Sequence, residues 1–405
     1  MMLPLLLAVA AAAHQNPFAD PIQVAQPIRL EMTPTLDGKI DTEEWDPFGT
    51  QTYLQWEPGK IYAAAVMPAG KDLVVSIDGK GDGWLVGRDN IEFRVTLKDG
   101  KPVVTARELD ATVVKAPIWR DRHDLEMASS AVASSSGDQT TVEAVFDDAG
   151  ANVLPRKPAK LMMRFDVVDS TADSAPYIPR TCVPIQFDDD RSVALPKGMT
   201  SGVEARTRAV VPGEDLALRF DFHGSNALGV KTIDLRTLGV GENSANRLSI
   251  LFPNFDNKGR AFVDYRSKID PAATVGYRVV RGTLTFADGA PGIVEASYRV
   301  APLLEFVLLK TSFDRLPDDN TLHIHYVLQM LTGLPSEGVI HIEPPAGWQV
   351  VKGDGDKFKL LGGQSAEARE FLLKAPSDAH GTFLIKFTGQ TKDRSASSNC
   401  YITLP

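Results

Sequence analysis

The chain has 405 residues, a formal net charge of −9 and a sequence pI of about 5.4, and 43% of its residues are hydrophobic. This length corresponds to roughly two to four domains, and the composition is that of a globular protein with packed cores. A mildly acidic chain without a basic stripe is not suited to neutralising phosphates. This excludes nucleic acid and an anionic membrane surface as principal partners.

The N-terminus carries an apolar segment, Leu3–Ala13, that ends in three alanines. It resembles a secretory signal with cleavage near Ala13. It is too short for a transmembrane helix, which needs roughly 20 apolar residues, and no later stretch qualifies. The sequence therefore predicts a signal peptide and leader over residues 1–26 and an extracytoplasmic protein that is secreted, periplasmic or on the cell surface.

The next segment, residues 27–190, shows the period-two alternation of half-buried strands. Three runs carry it most clearly: Lys71–Asp78, Asn90–Leu97 and Ala159–Asp169. Turn signals such as Asp99-Gly100 separate such runs, and Thr141–Phe146 is a further predicted strand. Ser129–Gln139 is small and polar, and we expect it to be a loop. Strands at this spacing without helical periodicity predict a first β-sandwich.

The rest of the chain continues the same pattern. The acidic run Asp188–Asp190 predicts a solvated boundary. Residues 191–301 then form a second predicted sandwich and residues 302–405 a third. Their predicted strands are Asp215–Phe222, Arg247–Phe252, Arg260–Tyr265 and Tyr277–Phe286, followed by Asn320–Met330, Gly338–Ile342, Lys357–Leu361, Arg369–Lys374 and Thr382–Thr388. The fold class is thus all-β: three consecutive β-sandwich domains, Ig-like or jelly-roll-like, with few helices.

The two cysteines, Cys182 and Cys400, fall in different predicted domains, and no C-x-x-C spacing is present. Two isolated, buried thiols are the favoured interpretation. A disulfide between them is the alternative that an exported chain leaves open.

Two segments resemble known families. Leu36-Asp37-Gly38-Lys39-Ile40-Asp41 with Glu44-Trp45, then Arg88–Phe93 and Val142–Phe146, resemble the family 9 carbohydrate-binding modules and their DOMON-like relatives. Pro345-Ala346-Gly347-Trp348, Gly362–Ser365 and Gly381-Thr382-Phe383 resemble the Ig-like domain associated with α-galactosidases. The first resemblance implies a β-sandwich with affinity for polysaccharide or a cell-surface glycan. The second implies a spacer or docking domain that contacts other proteins.

Carbohydrate binding needs flat aromatic faces for the sugar ring, flanked by carboxylates or guanidinium groups for the hydroxyls. Trp45 closes the entry motif, and we interpret it as a core residue. The candidate ligand-binding residues are Trp56, Trp84, Trp119, Arg120, Asp89 and Glu92. Packing in the core is the alternative for each of the three tryptophans, so their exposure discriminates between binding and structural roles.

Other chemistry has less support in the sequence. Calcium is the one cofactor for which a site suggests itself, because Asp78 and Asp82 place carboxylates in a glycine-rich loop. Solvated turns are the default interpretation there. His323 and His325 share a strand face, and we interpret them as surface residues. Axial haem ligands, as in DOMON relatives, would need a Met–His pair that no pattern selects.

No G-x-S-x-G elbow, P-loop or H-E-x-x-H motif is present in the sequence. We therefore expect an exported, non-catalytic protein that binds carbohydrate through its first domain. The alternative is a cell-envelope structural or adhesion protein that binds no sugar. A glycan-acting enzyme would require two close carboxylates in a cleft.

Overall fold

A computed structural model gives the fold of the chain. It describes residues 28–29, 32–81, 89–110, 118–170, 182–188, 194–205, 209–238, 247–316, 319–330, 335–361, 365–392 and 394–404. The chain is almost entirely β and divides into two compact units between residues 190 and 191. The acidic run Asp188–Asp190 stands at this division, where the sequence predicts the first boundary. The signal peptide lies outside the described residues.

The first unit is a two-sheet sandwich. Its strands are β1 (Ile28–Arg29), β2 (Asp46–Pro47), β3 (Thr52–Glu57), β4 (Lys60–Pro68), β5 (Lys71–Asp78), β6 (Asn90–Lys98), β7 (Lys101–Asp110), β8 (Ile118–Asp121), β9 (Ser130–Ser136), β10 (Gln139–Asp147), β11 (Ala159–Asp169) and β12 (Val183–Asp188). A short helix, α1 (His123–Ala128), follows β8. Sheet A has the order β1-β12-β11-β5-β6-β7-β8, and sheet B has the order β2-β3-β4-β10-β9.

The core of this sandwich forms where the apolar faces of sheets A and B meet. Phe93 of β6 stacks on Phe146 of β10 with ring centroids 4.3 Å apart. Val75 and Phe165 of sheet A and Ile61 of sheet B are also fully buried. The period-two pattern correctly predicts β5, β6 and β11, because one side chain in two enters this core.

The stretch Ser130–Ser136, predicted as a loop, is instead strand β9, which pairs with β10 along its length. The prediction is wrong because β9 is an edge strand with largely exposed side chains. A strand that buries little apolar surface needs no apolar alternation, so its sequence carries no strand signal.

The entry segment, defined as residues 33–45, crosses the outer face of sheet B. Trp45 is buried there against Tyr62 and Ala64, with Leu36 and Ile40 beside it. Glu143, fully buried in β10, accepts a 2.5 Å hydrogen bond from the Gly38 N–H. Burial raises the pKa of the Glu143 carboxyl, and the nearby Asp37 and Glu44 carboxylates act in the same direction. The core role predicted for Trp45 is confirmed.

The second unit contains four sheets. Residues 200–300 supply β13 (Thr200–Ala205), β14 (Ala209–Val210), β15 (Asp215–His223), β16 (Val230–Thr237), β17 (Arg247–Leu251), β18 (Arg260–Lys268), β19 (Gly276–Phe286) and β20 (Pro291–Val300), with a 3₁₀ turn at Asn226–Leu228. Sheet C is β13-β15-β18 and sheet D is β14-β20-β19-β16-β17. They enclose a core that includes Phe220, Phe222, Ile233 and Leu284.

Residues 305–404 supply β21 (Glu305–Leu316), β22 (Asp319–Gln329), β23 (Ser336–Glu343), β24 (Gln349–Lys352), β25 (Lys357–Leu360), β26 (Ala366–Lys374), β27 (Gly381–Thr391) and β28 (Ser395–Leu404). Sheet E is β21-β22-β26-β24 and sheet F is β25-β23-β27-β28. Tyr326, Phe371 and Phe387 stack in the core between them. Trp348 of the Pro-Ala-Gly-Trp turn is buried in the same core.

Cys182 belongs to the first unit and Cys400 to the second, and both thiols are free and buried. Burial raises the pKa of each thiol to about 12. The interpretation as two isolated thiols is confirmed.

Candidate functional site

The outward face of sheet A is polar rather than apolar. The Asp99-Gly100 turn has positive φ at both residues (52° and 77°), as a two-residue type I′ hairpin requires. This turn fixes the register of β6 against β7, so that Glu92 pairs with Arg107 and Arg94 with Thr105. Because side chains alternate along a strand, all four lie on the face away from the core.

One row of this face crosses five strands. Asp121 of β8, Arg107 of β7, Glu92 of β6, Ser76 of β5 and Arg164 of β11 are neighbours in register. Acidic, basic and hydroxyl groups thus alternate across the sheet. At the β7–β8 end the row opens to solvent, whereas Glu92 is only 3% exposed.

The open end of the row contains a cavity of about 290 Å³, which we call the Arg107 cavity. Its lining residues are Glu92, Arg94, Thr105, Ala106, Arg107, Asp121 and Glu126. Except for Thr105 and Ala106, every one of them carries a charge. A space of this size is close to the lower limit of small-molecule sites, and its lining suits a ligand rich in hydrogen-bonding groups.

Arg107 organises the cavity. Its Nε donates to Glu92 Oε1 at 2.8 Å, and its Nη2 lies 2.7 Å from the same oxygen. Its guanidinium carbon also lies 4.4 Å from the centroid of the Trp119 ring. A buried carboxylate needs such a partner, because desolvation of an unpaired charge costs several kcal/mol, roughly 3–5 when a partner is removed. Arg107 therefore supplies the buried Glu92 side chain with its partner and holds one face of Trp119.

Arg94 is fixed by a second network on the same face. Its Nε donates to Asp72 Oδ2 at 2.7 Å. Asp72 is fully buried and also accepts hydrogen bonds from Thr96 and Ser170. This network holds Arg94 in place at the cavity, so that the lining is preorganised.

Helix α1 forms the remaining wall by docking onto the backbone of Ala106. The Arg122 N–H donates to the Ala106 carbonyl at 2.8 Å, and Glu126 Oε1 accepts from the Ala106 N–H at 3.1 Å. Arg122 also bridges Glu108 and Asp124. The hydrogen bond with Glu126 raises the pKa of His123. The wall is thus tied to the backbone of β7 by two hydrogen bonds at Ala106.

The predicted binding residues are only partly brought together. Glu92 lines the cavity, and Trp119 lies beside it through Arg107. Trp119 is half-buried and packs against Leu109 and Cys182. Arg120, next in β8, points to the other face of sheet A, because it pairs with Glu108 and strand side chains alternate. Trp84 and Asp82 lie outside the described residues.

The expectation that Trp56 could be exposed is wrong. Its side chain is 2% exposed and stacks on Phe187 with ring centroids 5.1 Å apart. Its Nε1 donates to the Ile28 carbonyl at 3.0 Å. The ring belongs to the inward face of β3, where it joins the core and holds β1.

Asp89 and Asp78 stabilise the turn after β5. Asp89 Oδ2 accepts from the Lys80 N–H at 3.2 Å, and Asp78 Oδ1 accepts from the Gly81 N–H at 2.9 Å. Asp78 is fully buried. Within the described part of the chain, no group of three or more His, Cys, Asp or Glu residues is arranged to hold a metal ion. His323 hydrogen-bonds Glu370 on the outer face of sheet E.

Comparison with known proteins gives no assignment by sequence: no family model and no curated protein matches the chain. Among solved structures, elastase-activated alpha-2-macroglobulin of Escherichia coli is similar over 93% of this chain and 44% of its own, with 10% identity and a TM-score of 0.26. This chain spans less than half the length of the alpha-2-macroglobulin chains of that species that it matches.

Two further solved structures are similar to this chain at the same low level. A membrane-anchored protein of Corynebacterium diphtheriae is similar over 87% of this chain and 89% of its own, with 10% identity and a TM-score of 0.22. Spo0M, a sporulation control protein of Bacillus subtilis, is similar over 50% and 90%, with 9% identity and a TM-score of 0.19. Similarity at this level assigns neither an activity nor a partner to the chain. In the described segments, no helix has the length and hydropathy to cross a membrane.

Proposed function

We propose that this protein is an exported, non-catalytic protein whose first sandwich binds a carbohydrate in the Arg107 cavity. The observation that carries the proposal is the alternation of carboxylate, guanidinium and hydroxyl groups around one preorganised space. Sugar hydroxyls both donate and accept hydrogen bonds. A lining that offers acceptors beside donors matches that chemistry.

The proposed mode of binding differs from ring stacking. Trp56 is buried, and Arg107 covers one face of Trp119. Recognition would therefore come from hydrogen bonds to charged groups, which contribute about 1.5–3 kcal/mol each. Asp121 and Thr105 are the exposed members of the lining and would meet the ligand first.

The test is a glycan array probed with the whole chain, followed by calorimetric titration of the glycan class that binds. Asp121→Asn and Thr105→Val should each lower the affinity roughly tenfold, because the first replaces a charged acceptor with a neutral amide and the second removes one hydrogen bond to the ligand. Asp138→Asn and Thr283→Val are matched controls at exposed positions away from the cavity, and they should bind like the parent chain.

A folded chain that binds no glycan would refute the proposal, as would binding that Asp121→Asn and Thr105→Val leave unchanged. Export is supported by the apolar segment Leu3–Ala13. To test export, the protein is recovered from outside the cytoplasm of expressing cells. We expect the recovered chain to begin near His14.

A structural or adhesion role in the cell envelope is the second candidate. The observation that favours it is the burial of Trp56, since the ring contributes to the core instead of to a surface. Absence of glycan binding by a chain with an intact fold would favour this role.

A further inference from the structure

Strand β18 is a long free edge in the second unit. It ends sheet C, spans nine residues and pairs with β15 without a break in register. Most other edge strands of the described chain have five residues or fewer, and β13 and β9 have six and seven. The longer β21 carries a bulge between Leu308 and Lys310, and the longer β28 contacts β21. Short strands, bulges and charged side chains are among the devices by which proteins protect sheet edges. Within the described residues, β18 is neither short nor bulged, and it carries charged side chains on its outward face.

The side chains of β18 alternate strictly. Ala261, Val263, Tyr265 and Ser267 are buried in the core. On the outward face, Phe262 is 41% exposed, and the side chain of Asp264 is 51% exposed. Arg266 and Lys268 are exposed on the same face. The edge thus presents an aromatic ring, one acid and two bases in sequence. Within the chain, Arg219 of β15 donates to both carboxylate oxygens of Asp264, at 2.8 and 3.1 Å. The guanidinium carbons of Arg219 and Arg260 lie 5.5 and 5.7 Å from the Phe262 ring centroid, so contacts from a second copy would add to these.

This order of side chains is self-complementary in one antiparallel register. When two copies of β18 meet about a two-fold axis at Tyr265, Asp264 of each copy lies opposite Arg266 of the other. Phe262 of each copy then lies opposite Lys268 of the other, which allows cation–π contact. Opposite charges and cation–aromatic pairs at directly facing positions stabilise a strand pair. The inward residues meet in the same register, so the core faces stay together.

The neighbouring registers that keep the faces together each place like charges opposite one another. An axis at Asp264 places Asp264 against its own copy and Arg260 against Lys268. An axis at Val263 places Arg260 against Arg266, and an axis at Arg266 places Arg266 against its own copy while Asp264 faces Lys268. Like charges at directly facing positions destabilise a strand pair. Of these four registers, the one about Tyr265 is the one in which no like charges face each other.

We propose that β18 pairs with β18 of a second copy of this chain, antiparallel about Tyr265, so that two copies of sheet C form one six-stranded sheet. The interface is isologous, with the same patch contributed by each copy. Edge pairing alone buries less than the roughly 1,200 Å² of a standard stable interface, so the dimer is reversible and depends on concentration. This dimer does not depend on carbohydrate binding.

The test is sedimentation velocity of the whole chain over a range of concentrations. The Arg266→Glu substitution places a glutamate opposite Asp264 of the other copy, and the Asp264→Lys substitution places a lysine opposite Arg266 of the other copy. Because the interface is two-fold symmetric, each like-charge pair occurs twice per dimer. Each variant should dimerise about a hundredfold more weakly than the parent chain. An equimolar mixture of the two variants should regain a dimer. In the mixed pair the introduced lysine of one copy faces the introduced glutamate of the other, and the remaining Arg266 faces the remaining Asp264.

Lys231→Glu, at an exposed position on β16 of sheet D, is the matched control and should dimerise like the parent chain. Should Asp264→Lys fail to fold, hydrogen exchange supplies a second measurement on the unaltered chain: the amides of Phe262–Lys268 should gain protection as concentration rises. A parent chain that stays monomeric would overturn the proposal. So would an Arg266→Glu variant that dimerises normally, or a mixture no more dimeric than its components.

Discussion

Gly38 shows how one residue without a side chain holds a segment against a sheet. Its φ is +84°, and its N–H donates to the buried Glu143 carboxylate. A Cβ at this position would lie 2.8 Å from Cβ of Ser134 in β9. Both the backbone conformation and the close approach therefore require glycine, and both belong to the contact between the entry segment and sheet B.

We predict that Gly38→Ala destabilises the first unit by about 3 kcal/mol, from backbone strain and from the clash together. Gly137→Ala measures the backbone strain alone, because Gly137 also has positive φ (63°) but has open space around its Cβ position. Its cost should be about 1 kcal/mol. Urea unfolding of both variants measures the difference. Equal losses would mean that the contact with Ser134 contributes nothing.

At the scale of elements, two buried tryptophans attach neighbouring segments to the first sandwich in different ways. Trp45 holds the entry segment by apolar contact alone, and its buried Nε1 has no hydrogen-bond acceptor among the described residues. Trp56 holds β1 by donating its Nε1–H to the Ile28 carbonyl. Among the described residues, the indole N–H of Trp56 thus donates a hydrogen bond, whereas that of Trp45 does not.

Replacement by phenylalanine should separate these roles. Trp45→Phe should cost about 1 kcal/mol, because the loss of apolar area is partly offset by removal of a buried, unsatisfied donor. Trp56→Phe should cost about 2–3 kcal/mol, since it also leaves a buried carbonyl without its donor. Thermal unfolding followed by near-ultraviolet circular dichroism measures both. A larger loss for Trp45→Phe than for Trp56→Phe would contradict the assignment.

The strands were largely predictable because most of them alternate between a core and an exposed face. β15 and β22 show this alternation in sequence and in burial. β5 carries Leu73, Val75 and Ile77 on its core face but is buried on its other face as well. β9 was missed because its edge position lets serine replace apolar residues. Tryptophan exposure was not predictable at Trp56, because alternation along β3 does not reveal which neighbours cover a ring.

The Arg107 cavity was within reach of the sequence but was not predicted. The Asp99-Gly100 turn fixes Glu92 opposite Arg107, and the pairing follows from counting outward from the turn. Asp121 and Glu126 could not be placed in this way. Their positions depend on the return of β8 to β7 and on the docking of helix α1 at Ala106, both of which are tertiary contacts.

At the scale of the whole molecule, the chain repeats one architecture with different surfaces. The first sandwich places charged residues on the outward face of sheet A, and the second leaves the long edge β18 open. In the third sandwich, the turn residue Trp348 is buried in the core.

The reactivity of each buried thiol can be used to follow the unfolding of the unit that contains it. Because burial raises the pKa of both Cys182 and Cys400 to about 12, neither should react with a thiol reagent at neutral pH while its unit is folded. We predict that Cys400→Ser leaves a thiol that reacts as the first unit opens. Cys182→Ser should leave one that follows the sandwich of sheets E and F in the second unit. Rapid labelling of the native chain would contradict this. With one native thiol per unit, the order in which the units unfold can be measured without an introduced probe.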